Sequence, residues 1–193
     1  MIPMMRTFGE SNNNGRVWVF MFIPEITTRV SVEVDTSELD NAINTIASDP
    51  ILGEISSIIG ELEQARDKLK GLQEPLVDAV SERLSSNQET IISTKHYITG
   101  MMSNSVDISH DGEDRLVGNT AMSPTGFPYP LAIEKGTSAH WIAPVTFDAL
   151  HWTDKNGEHW SKGHMVSGIK ADPFVEPSIN LTMADIDEII NDL

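Results

Sequence analysis

The chain has no cysteine, and that absence removes three kinds of chemistry at once. Disulfides, thiolate metal sites and a cysteine nucleophile are all excluded. Long apolar runs are also missing. The longest, Val17 to Ile23, falls well short of the roughly 20 residues that cross a bilayer, so no membrane association is expected. No basic segment with a small-residue cleavage site opens the chain, and no secretory leader is expected. Bases are few: 13 Lys and Arg face 29 Asp and Glu, a formal net charge of -16. Phosphate binding needs clustered Lys and Arg, so this balance argues against a nucleic-acid-binding role.

Catalytic signatures are lacking too. There is no Gly-x-Ser-x-Gly elbow. The stretch from Gly163 to Gly168 has no Lys-Ser/Thr ending of the phosphate-loop kind. Three histidines, His151, His159 and His164, lie near Asp154 and Glu158. Zinc needs three or four converging ligands, and no His-Glu-x-x-His spacing is present. This cluster is the basis of the one enzymatic reading, a metal-dependent hydrolase. Glu134 has no second carboxylate of separated pKa in view, so it reads as structural rather than catalytic. No catalytic, cofactor-binding or metal-ligating residue is assigned, and an enzyme is not expected.

What the chain does have is 193 residues and a 39% hydrophobic fraction, enough for one domain with a core. Residues 1–16 hold Ser11-Asn12-Asn13-Asn14-Gly15 and little to bury, which suggests a flexible arm. Val17 to Ile23 is a continuous apolar run that stops at Pro24. Val30, Val32 and Val34 alternate with polar residues, so two strands that could pair are expected over 17–35 as a hairpin-like extension. Helices are expected over 36–98. Asp35-Thr36-Ser37 caps the first, which carries Leu39, Ile43 and Ile46. A second restarts at Pro50 with Ile51, Ile55, Ile58, Leu62, Ala65 and Leu69 as an apolar stripe. A third runs from Glu74-Pro75 with Leu76, Val80 and Leu84 in register.

A sheet is expected over 99–177. Thr99-Gly100 would end the helical half. Asp111-Gly112 marks a hairpin between 105–109 and 115–119. A loop over 120–128 leads to a short strand at Leu131-Ala132-Ile133. Further strands are expected over 140–145, 149–153 and 158–166, with a turn at Lys155-Asn156-Gly157 between the last two. The helix after Pro173-Phe174, over 178–193, would turn Ile179, Met183, Ile186 and Ile190 inward. Trp141, Trp152 and Trp160 all lie between Tyr129 and Ile179, and aromatics bring the most buried area per residue. That places much of the core there. The fold class is α+β, a helical N-terminal half on a small, mostly antiparallel sheet with a C-terminal helix, and 17–193 forms a single domain.

Three stretches carry a resemblance. They are Thr99-Gly100-Met101-Met102-Ser103-Asn104-Ser105, then Tyr129 to Thr137, then Pro173 to Ile179. In this order they resemble the tail-completion (neck) proteins of long-tailed viruses, over roughly residues 75 to 190. Pro130 after the tyrosine and Met102 in place of a leucine depart from the pattern. The resemblance implies a virion protein of the neck. Copies would form a ring joining the portal or connector to the tail terminator or tail tube. DNA would pass through the channel without specific binding. Thr99, Gly100, Ser105, Tyr129, Glu134, Gly136, Thr137, Pro173, Phe174 and Pro177 would be its structural motif residues. Within the turn, Gly136 would serve positive φ or close approach, and Thr137 a side-chain-to-backbone hydrogen bond. A tail terminator or head-proximal adaptor shares the plan, and a soluble halophilic binding module stands outside it. The acidity suits either a high-salt host cytoplasm or a DNA channel wall.

Overall fold

The computed structural model describes residues 16–22, 26–48, 56–95, 100–123, 126–144 and 147–193. The expected arm, Thr99 and the helix restart at Pro50 lie outside them, apart from Arg16. The fold is α+β. The chain gathers into two compact units, where the sequence pattern suggests one domain. The first comprises 1–121 with 174–193, and the second 122–173.

In the first unit, period-two alternation builds the sheet. Strand β1 (Arg16–Phe22) pairs antiparallel with β2 (Thr27–Asp35). Strand β3 (Val106–Asp111) pairs antiparallel with β4 (Asp114–Asn119) through a two-residue turn at Gly112-Glu113. The two hairpins join through β2 and β4, so the sheet order is β1-β2-β4-β3. Strand β2 is therefore an interior strand and not part of an extension. Its Thr28, Val30 and Val32 are buried, as are Arg115, Val117 and Asn119 of β4. Successive side chains of a strand point to opposite faces, so these six share one face.

Helix α1 (Ser37–Ser48) buries Leu39 and Ile43, with Ile46 half-buried. At its start the Ser37 N–H donates to the Asp35 carboxylate at 2.9 Å. Helix α3 (Gln73–Lys95) packs on β2, β3 and β4. Leu76, Val77, Val80, Leu84 and Ile92 recur at helical spacing and are all buried. Ser85 is buried on the same face, and the helix runs unbroken through Ser85-Ser86-Asn87. Helices α5 (Val175–Ala184) and α6 (Ile186–Asn191) return to α3. Phe174 and Val175 are fully buried at the start of α5. Arg83 bonds Asp185 at 2.8 Å and Asn87 bonds the Thr182 hydroxyl at 2.9 Å. The expected last helix thus starts earlier and breaks at Asp185. Ile179 and Ile189 are buried, while Met183, Ile186 and Ile190 are half-buried.

Helix α2 (Ser56–Gly71) does not bury the described part of its stripe, and Ile51 and Ile55 lie outside the described residues. Ile58 is 42% exposed and Leu62 and Leu69 are half-buried. A regular apolar period does not guarantee a covering layer.

The second unit departs furthest from expectation. Leu131-Ala132-Ile133 is not a strand. It lies in helix α4 (Tyr129–Lys135), with Pro130 in the first turn. Proline is tolerated there because its missing N–H would be unpaired anyway, and Leu, Ala, Glu and Lys all favour helix. The segment 158–166 is two strands. Strand β7 (Gly157–Ser161) pairs with β6 (Leu150–Asp154), and β8 (His164–Val166) pairs with β5 (His140–Ile142). The tryptophans do not form a core. Trp141, Trp152 and Trp160 are 61%, 38% and 67% exposed. A two-stranded ribbon has too little opposing surface to bury large rings.

The hairpin end of the first unit carries a charge cluster. Arg29 bonds Asp114 at 2.8 Å and also pairs with Asp111. Burial pushes the Asp114 carboxyl up, but hydrogen bonds from Arg29 and Ser31 outweigh it and hold the group below its ordinary value. A carboxyl lowered in the folded state stabilises above its unfolded pKa of about 4. That contribution disappears as pH falls through the lowered value. Asp114→Asn is expected to cost at most about 1 kcal/mol at pH 7 and to flatten the loss of stability in acid, as read by urea unfolding from pH 7 down to acid pH. In the same assay Leu84→Ala and Phe174→Ala should each cost about 3–5 kcal/mol, and Trp160→Ala far less.

Candidate functional site

The central motif closes the second unit as a backbone clasp. Helix α4 ends at Gly136, where φ is 71°. A Cβ there would lie 2.7 Å from both the Ala171 amide nitrogen and the Ile169 carbonyl oxygen. Only glycine meets both the left-handed backbone and the close approach. Thr137 completes the clasp. Its N–H donates to the Ile169 carbonyl at 2.8 Å, and its hydroxyl accepts from the Ile169 N–H at 2.9 Å. Asp172 N–H donates to the Ile133 carbonyl at 2.9 Å. Gly168 answers from the other side with φ 77°, and a Cβ there would overlap the Thr137 carbonyl oxygen. Both expected roles, positive φ with close approach for Gly136 and a side-chain-to-backbone bond for Thr137, are present in this geometry. Gly168 is the partner that sequence reading missed, because it sits in a segment with no periodic signal.

Glu134 lies on α4 and is 9% exposed. Tyr129 is 40% exposed and meets Phe127 edge-on at 5.9 Å. Pro173 is exposed at the end of the unit.

The first motif is a turn locked to β4. Gly100 has φ 74°, and its carbonyl accepts the Asn104 N–H at 3.0 Å and the Ser103 hydroxyl at 3.1 Å. The Ser105 hydroxyl donates to the Met101 carbonyl at 2.6 Å, and the Ser105 carbonyl accepts the Thr120 N–H at 2.9 Å. Asn119, nearly buried, donates from its side chain to the Met102 carbonyl at 2.7 Å. Phe174 of the third motif is fully buried and Pro177 half-buried. Gly100, Ser105, Phe174 and Pro177 thus serve the first unit, and the other described motif residues the second.

The histidine cluster separates. His151 lies directly across from Trp160 and stacks on it at 4.2 Å. His159 lies across from Trp152 and stacks on it at 5.3 Å. Adjacent positions of a strand face opposite ways, so His151 and His159 occupy opposite faces of the ribbon. His159 bonds Asp154 at 3.0 Å, and His164 tilts against Trp152 at 5.0 Å. Among the described residues no three His, Asp or Glu side chains converge on a point where a metal could sit.

No family model, curated protein or solved structure matches this chain.

Gly100, Ser105, Gly136 and Thr137 therefore hold backbone and close turns, Phe174 fills the core, and among the described motif residues no nucleophile has an adjacent base. Gly168→Ala is expected to open the clasp. Hydrogen exchange should show Thr137 and Ile169 amides losing at least about tenfold protection through backbone strain, with β2 and β4 amides unchanged.

Proposed function

We propose that this protein is a structural component of a viral neck, a tail-completion protein whose copies form a ring between the head connector and the tail tube. The distribution of charge and apolar surface supports this reading. Among the described residues, nine of the fourteen exposed large apolar side chains lie in the second unit. That unit holds five acids against four lysines, a net of -1, which leaves -15 to the first. General adaptation to salt would acidify every solvated surface. A near-neutral surface rich in exposed Trp, Phe and Met instead suits one covered by protein in the working state. Trp141 and Met165 lie directly opposite each other on β5 and β8, 61% and 59% exposed.

The charge of the first unit suits a wall past which DNA slides, since carboxylates repel phosphates. Ring formation needs two different faces meeting head to tail with closure. The protein acts in the virion, after assembly in the host cytoplasm, and the mechanism is assembly without chemistry.

Light scattering on a sizing column, at low salt and at several molar salt, tests the reading. A closed oligomer is expected, and the double variant Trp141→Ser with Met165→Ser should weaken it by at least about tenfold in concentration. A monomer at every salt with no affinity for connector or tail rings would remove the neck assignment.

A further inference from the structure

Beside β6 lies a groove of about 670 Å³, lined by Pro144, Phe147, Asp148, Leu150, His151 and Trp160. Its volume lies in the range of small-ligand sites. Phe147 and Trp160 are 80% and 67% exposed, the two most exposed large apolar side chains among the described residues. His151 stacks on Trp160 with the rings 22° from parallel, which steadies the indole plane. Glu158 approaches His151 at 3.9 Å. Among the described residues no Lys or Arg lines the groove. Lys155 sits in the turn at the far end of the ribbon, and Lys162 follows its last residue.

The chemistry of this lining is specific. Aromatic faces carry negative potential, and Asp148 and Glu158 add to it. A neutral apolar guest would use the rings and leave the carboxylates unanswered. An anion would be repelled. A guanidinium answers both, because it is planar, weakly hydrated, stacks on indole and donates to carboxylates. Among the described arginine side chains of a second copy, Arg29, Arg66, Arg83 and Arg115 are already engaged with carboxylates. A formal net charge of -16 favours encounter with a basic partner over a second acidic copy.

We propose that this groove receives an arginine side chain from a basic segment of a different protein. The proposal does not depend on the neck reading, since it names a local chemistry and not an assembly. The full chain, with its indole N–H groups labelled with nitrogen-15, is titrated with acetyl-Gly-Arg-Gly-Arg-Gly-amide. The same peptide with citrulline in place of arginine serves as the neutral comparison. The Trp160 indole signal should shift, and the arginine peptide should bind about tenfold tighter than the citrulline peptide. Asp148→Asn, at an exposed position, should leave the spectrum of the free protein intact and shrink that preference to about threefold or less. Equal binding of the two peptides would overturn the proposal. So would a silent Trp160 signal up to about 10 mM peptide, or an arginine-peptide affinity, read by calorimetry, that is unchanged in Trp160→Leu.

Discussion

The packing of α3 on the β2–β4 face is the contact on which the rest of the first unit depends. Leu76, Val77, Val80, Leu84 and Ile92 meet an inner face that includes Val30, Val32 and Val117, and Phe174 is buried where α5 begins. Each fully buried side chain of this size contributes about 1.5–3 kcal/mol. The polar contacts around it contribute less and choose geometry. Arg115, 3% exposed, reaches Asp78 of α3 at 2.6 Å and ties β4 to the first turns of the helix. Arg83 and Asn87 do the same for α5 and α6. Gln88 lies fully buried in the same row, with no partner for its side-chain amide among the described residues. An unpaired buried amide costs about 1–3 kcal/mol, so α3 is held by its apolar neighbours despite it.

The second unit works by different physics. Its strands form two-stranded ribbons, and its rings stay in contact with water. Order there comes from backbone hydrogen bonds and steric fit in the clasp of Gly136, Thr137 and Gly168, and from His–Trp stacking across β6 and β7. A unit built this way leaves apolar surface exposed, on the part of the chain whose net charge is nearest zero.

The helical half was legible because burial of one helix face imprints a period on the sequence. The spacing of Leu76, Val80 and Leu84 marks α3, and Val30 and Val32 mark β2. The two hairpin turns at Gly112 and Gly157 were equally plain, since their residues answer to local backbone needs. The roles of Gly136 and Thr137 were legible for the same reason, although the partners at 168–171 were not. Short segments fared worse. Leu131-Ala132-Ile133 suits a strand or a helix alike, and the seven-residue α4 gives too few turns for a period to speak.

The sequence by itself determined the α+β class, the long third helix, the two hairpin turns and the excess of acid over base along the chain. These are matters of local periodicity, turn chemistry and composition. The tertiary structure alone decided that β2 sits inside the sheet, that the tryptophans face water, and that His151 and His159 point to opposite faces. Each of those depends on which segments pair and in what register. Pairing joins residues far apart in the chain, and no local pattern records it.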